Sequence, residues 1–176
     1  MTASKHSPSS KKQSVKNLEG IKELQKAQLW LLRINGVFRL IDCRELLEID
    51  GGSIVLSMEQ MCGVYRLLDG IVADLEQIQI IATEYGEDEK PFESINESIN
   101  CTLQIISLAV KIAESRIADN DEMLDVPLNV EWVNGFFTAL SWAHEYLDSA
   151  EQGIEQLHSI LLKNAEGGIN AIDTLH

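Results

Sequence analysis

Residues 57–86 read SMEQMCGVYRLLDGIVADLEQIQIIATEYG, and their spacing decides the fold class. Met61, Val64, Leu68, Ile71, Leu75, Ile78 and Ala82 recur at alternating steps of three and four. That is the period of one apolar helix face, the seam of a bundle, and not the two-residue alternation of a strand. Ser57 followed three residues on by Gln60 is a capping box that starts this helix. Tyr85-Gly86 ends it, Glu87–Lys90 form a polar loop, and Pro91 suits the first turn of the next helix.

Working outward, a first helix is expected over about 15–49, closed by Asp50-Gly51-Gly52. A third is expected over about 91–119, and a fourth after Pro127, capped by Asn129 and ending near Asn164 before Gly167-Gly168. Ser53–Leu56 is the one β-like run and is too short to carry a sheet. The class predicted is all-α, a four-helix bundle in a single domain over 17–166. A basic Ser/Lys-rich tail over 1–16 and a flexible end over 167–176 complete the chain.

A shift of 72 residues superposes the pattern on itself. The seven seam positions become Val133, Phe136, Leu140, Ala143, Leu147, Ala150 and Ile154, all apolar. Ser57 falls on Asn129, Glu59 on Glu131, and Gly63 on Gly135. This reads as a duplicated helical hairpin, about 17–86 and 91–164, in a pseudo-symmetric bundle. Gly63 and Gly135 cost about 1 kcal/mol each inside a helix, which a close helix approach would offset.

Composition narrows the function. The 176 residues carry 28 acidic against 14 basic side chains, a formal charge of −14. Lys5, Lys11, Lys12 and Lys16 give the tail +4, so the remainder stands at −18. Direct nucleic-acid binding is not expected of such a body, because phosphates need a cationic face. No apolar run approaches a membrane span. Residues 1–16 lack the apolar core of a secretory leader, although a Ser-rich N-terminus leaves an unusual secretion route open. Cys43, Cys62 and Cys101 are odd in number and far apart, which fits free buried thiols in the cytoplasm.

Chemistry-bearing patterns are incomplete. His144, Asp148, Glu151, Glu155 and His158 share one face of helix four, but Glu155-x-x-His158 has no second copy, so a solvated face is expected. Gly51-Gly52 and Gly167-Gly168 lack the residues of a phosphate loop. The run from Asp119 to Glu122 lacks the glycine and closing Glu of a calcium loop. No catalytic, cofactor or metal residue is assigned. Trp132, Phe136, Phe137, Trp142 and Tyr146 are read first as core and second as an aromatic contact.

The apolar surplus points elsewhere. Helix one buries Leu24, Ala27, Leu31, Ile34, Phe38 and Ile41, yet Leu29, Trp30, Leu32, Val37 and Leu40 remain on other faces. Helix three leaves Ile105, Leu108 and Ile112. Such a surplus marks an interaction surface. The expected function is therefore a non-enzymatic acidic module, of adaptor, chaperone-like or inhibitor type, binding a basic or amphipathic protein. Its surface would combine Leu29, Trp30, Leu32, Val37 and Leu40 with the acidic loop residues Glu87, Asp88, Glu89, Asp119, Asp121, Glu122 and Asp125. A homodimer through helix one or three is also expected. The alternatives are an acidic nucleic-acid mimic, a metal or ligand site in the bundle core, and a structural homodimer. Few polar residues point inward: Gln28, Asn35 and Gln104 at most.

Overall fold

The computed structural model describes residues 8–41, 49–50, 53–119 and 125–173. Four helices account for most of it: α1 (Pro8–Ile41), α2 (Met58–Gly86), α3 (Phe92–Asp119) and α4 (Val130–Asp173). α1 packs on α2 and α4, and α3 packs on the same two, so the helices form a ring around one core. The α2–α3 turn holds Glu89 N–H on Gly86 O at 2.8 Å and Phe92 N–H on Glu89 O at 3.0 Å. So short a connection makes its helices antiparallel neighbours.

The seam is where the periodicity places it. Met61, Leu68, Ile71, Leu75, Ile78 and Ala82 of α2 are buried, as are Val133, Leu140, Ala143, Leu147, Ala150 and Ile154 of α4. Val64 and Phe136 are half-buried against the same core. From α1 come Leu24, Ala27, Leu31, Ile34 and Phe38. On α3 the buried line runs through Ile95, Ile99, Ile106 and Ala113, with Ser98, Thr102 and Ala109 beside it, while Leu103 and Val110 are only half-buried. Thr102 is tolerated because its Oγ1–H donates to Ser98 O at 2.9 Å, within its own helix. Both caps form. Ser57 Oγ accepts from Gln60 N–H at 3.2 Å and the Gln60 side chain accepts from Ser57 N–H at 2.8 Å. Asn129 Oδ1 accepts from Glu131 N–H at 2.7 Å.

Three boundaries differ from expectation. α1 ends at Ile41, and Ile49–Asp50 is a strand, β1, paired antiparallel with β2 (Ser53–Ser57). β2 pairs in turn with β3 (Asp125–Asn129), so a three-stranded sheet exists where none was expected. The single run Ser53–Leu56 could not carry it alone; a second run 72 residues away completes the ladder. Pro127 sits in β3 because that strand is an edge, where a missing N–H is tolerated. Secondly, α1 begins at Pro8, inside the segment expected as tail. Thirdly, α4 continues through Gly167-Gly168 to Asp173. Two glycines each weaken a helix by about 1 kcal/mol but stop it only where a left-handed turn follows.

α1 and α4, at 34 and 44 residues, outrun α2 and α3, at 29 and 28. A Cβ on Gly20 would lie 2.7 Å from Tyr85 Cδ1 and 2.8 Å from Leu161 Cδ1, and Gly86 abuts Leu157. The turns of α1 before Gly20 and of α4 after Leu161 therefore run past the end of the α2–α3 hairpin. These contacts also correct the expectation for Gly63 and Gly135. Both are exposed, and a Cβ at either would meet nothing within 4 Å. The close approaches are at Gly20, Gly86 and Gly153, the last against Ile95.

Candidate functional site

The surplus apolar residues of α1 separate by face. Leu29 and Leu32 are 65% and 64% exposed. Trp30 and Val37, seven apart and so one above the other, are half-buried against the core. Those two are therefore packing residues more than surface ones. Leu40 falls where side chains lie outside the described residues. Arg33 ties this face to α2, its Nε–H donating to Asp74 Oδ2 at 2.9 Å. The exposed line also extends further back than expected, to Val15 and Leu18. The 3/4 spacing of 15, 18, 29 and 32 carries that signal, which the Ser/Lys composition around Val15 obscures.

Between α1 and α4 lies an open groove of 490 Å³ lined by Gln25, Gln28, Leu29, Leu32, Glu151 and Glu155. Beside it, buried Asn35 contacts His144 Nδ1 through Oδ1 at 3.1 Å, and its Nδ2–H donates to Glu151 Oε2 at 3.5 Å. The His144–His158 stripe is thus not simply solvated. His144, Glu151 and His158 are half-buried, and only Asp148 and Glu155 are open. His158 Nε2 is sealed from solvent with no hydrogen-bond partner. The pattern 144, 148, 151, 155, 158 leans toward α1, which a single-helix reading has no means to show. Of the three inward polar residues expected, Asn35 is buried, Gln28 half-buried and Gln104 exposed. A Gln79–Asn96–Asn100 cluster joins α2 to α3 instead, with Gln79 Nε2–H donating at 2.8 and 2.9 Å.

The outer face of α4 carries a second apolar feature. Phe137 is buried and meets half-buried Phe136 edge-on at 5.9 Å. Trp142 and Tyr146, one turn apart, are 58% and 39% exposed. The aromatic cluster thus divides into a core pair and a surface pair, with the Trp132 side chain outside the described residues. Exposed Glu145 stands within a turn of both members of the surface pair, and exposed Ser149 lies one turn beyond Tyr146.

The acidic loop residues do not form one site. Glu87 and Asp88 are exposed and Glu89 is half-buried, at the α2–α3 turn. Asp119 ends α3 and Asp125 begins β3, at the other end of the bundle, about 40 Å away along a 28-residue helix. The side chains of Asp119 and Asp125 lie outside the described residues, as do Asp121 and Glu122 altogether.

Among the described residues, no three His, Cys, Asp or Glu side chains gather where they could hold a metal ion. Cys62 and Cys101 are free and half-buried, less enclosed than expected; Cys43 is outside the described set. No described helix is long and apolar enough to cross a membrane. Charge is segregated by helix. α1 holds seven basic and two acidic residues, whereas α4 holds one basic and seven acidic. No family model, curated protein or solved structure matches the chain.

Proposed function

We propose that this chain is a non-enzymatic helical binding module whose acidic α4 face receives a basic or amphipathic protein partner. The observation that carries the reading is the exposure of Trp142 and Tyr146 together on the most acidic helix. Trp and Tyr are the commonest anchors of binding energy, and burying them on a partner removes a large apolar area from water. Glu145 lies within a turn of both. It would pair with Lys or Arg on the partner, and the net charge of −14 would speed encounter with a cation more than it sets final affinity.

The test uses Trp142 as its own reporter. With Trp30 and Trp132 replaced by Phe, the chain is titrated with an amphipathic helical peptide of Lys and Leu at low and physiological salt. The expected result is a blue shift of Trp142 emission, weakened by salt and weakened further in the Glu145→Gln variant. Emission that stays unmoved at low salt would overturn the reading. The proposed setting is the cytoplasm, supported by the free thiols of Cys62 and Cys101.

The bundle is further read as a duplicated hairpin. Two facts support this. β2 and β3 begin and end 72 residues apart, and their ladder is centred on Val55 opposite Pro127, themselves 72 apart. The two seam positions that are only half-buried, Val64 and Phe136, are also mates at that shift.

A further inference from the structure

Along α1, the positions 15, 18, 22, 25, 29 and 32 form an unbroken 3/4 series on the side opposite the buried Leu24, Ala27, Leu31 and Ile34. Its occupants are Val15, Leu18, Lys22, Gln25, Leu29 and Leu32. Val15 and Leu18 are 64% and 48% exposed, comparable with Leu29 and Leu32. A helix that shows a second apolar seam to solvent is shaped for another helix.

We infer that this seam is the interface of an antiparallel homodimer, α1 against α1 of a second copy. The series is self-complementary. Reversed upon itself about the point between Lys22 and Gln25, it sets Val15 opposite the partner's Leu32 and Leu18 opposite the partner's Leu29. The polar layer Lys22–Gln25 meets itself at the centre. A two-fold axis needs this of an isologous interface, where each contact occurs twice. The apolar seam spans about 26 Å, from Val15 to Leu32.

Charge selects the same arrangement. Two chains of −14 repel overall, but α1, with seven basic and two acidic residues, gives each copy cations that can face the other's carboxylates. The seam is also divided along its length. One half carries Lys16 and Lys22; the other borders the groove lined by Glu151 and Glu155. Lys22 and Glu155 make no ion pair among the described residues. Antiparallel pairing brings Lys22 of each copy over the partner's groove, and sets Glu19 beside the partner's Lys26. A parallel pair would place Lys22 beside the partner's Lys22. The pairing also covers the turns of α1 that run past the α2–α3 hairpin, which the chain's own α2 and α3 do not reach.

Sedimentation of the full chain at tens of micromolar tests this. A dimer is expected. Leu29→Asp with Leu32→Asp should raise its dissociation constant about 100-fold or more, with unchanged helical circular dichroism, since both side chains are exposed in the monomer. Leu108→Asp on the exposed face of α3 should leave it intact. Lys22→Glu should weaken it and Glu155→Lys in the same chain should restore it. In a background with Cys43, Cys62 and Cys101 replaced by Ser, Val15→Cys mixed with Leu32→Cys should cross-link by oxidation, while Val15→Cys alone should not. A monomer throughout, a dimer indifferent to the double Asp variant, or cross-linking of Val15→Cys to itself would each overturn the inference. The surface lies on α1 and is independent of Trp142, so its failure leaves the α4 reading standing.

Discussion

Glycines show how one residue type has opposite roles at different sites. Gly153 packs its backbone on fully buried Ile95, so a Cβ there would overlap the Ile95 side chain. Gly153→Ala is expected to lower stability by about 1–3 kcal/mol despite better helix propensity. Gly63 and Gly135 face open space. Gly63→Ala and Gly135→Ala should each raise stability by about 0.5–1 kcal/mol in urea unfolding, because the helix gains and nothing is displaced. Tyr85 is the other residue with a distinct signature. Burial first, then the carboxylates of Glu84, Glu19 and Glu23, hold its phenol above the ordinary value of 10.0. The folded state therefore favours the neutral phenol. The stability this contributes is whole below that ordinary value and fades as pH rises past it. Tyr85→Phe should make the alkaline loss of stability shallower, as measured by chemical unfolding from neutral pH upward.

At the scale of elements, α2 and α4 present matching seams in which Leu68 and Leu140 hold the same place. Leu68→Ala and Leu140→Ala should each cost about 2–5 kcal/mol, the usual effect of a cavity where a buried leucine stood. Similar costs would support the duplicated-hairpin reading; a neutral outcome at either would remove the shared register. The strands act differently. β2 and β3 lead directly into α2 and α4 and are hydrogen-bonded to one another, so they fix how the two helix starts sit across the end of the bundle. Leu128 is buried beneath them, which joins the sheet to the helical core.

For the whole molecule, the uneven charge is the dominant feature. A net −14 on a bundle of this size is a destabilising self-repulsion. Raising salt from about 0.01 to about 0.15 M shortens the screening length from about 30 to about 8 Å. The melting temperature should rise over that interval in calorimetry. A fall would mean that specific ion pairs such as Arg33–Asp74 outweigh the repulsion.

The helical period, the two N-caps and the Pro91 start of the second hairpin are written in local sequence, so the class and the inward seam of α2 and α4 could be read without a structure. So could the surplus on α1, because a helix with more apolar positions than one face holds must show some of them. Which of them show could not. Leu29 and Trp30 are equally apolar neighbours, and only the placement of the other helices around α1 decides that Trp30 packs inward and Leu29 stands in solvent. The sheet was invisible for a similar reason. Two strands of five residues and one of two have no readable period, and their pairing joins segments 72 residues apart. Periodicity in one helix sets its faces. Only packing against the other three sets which face is the core, which closes over His144 and Asn35, and which remains for a partner.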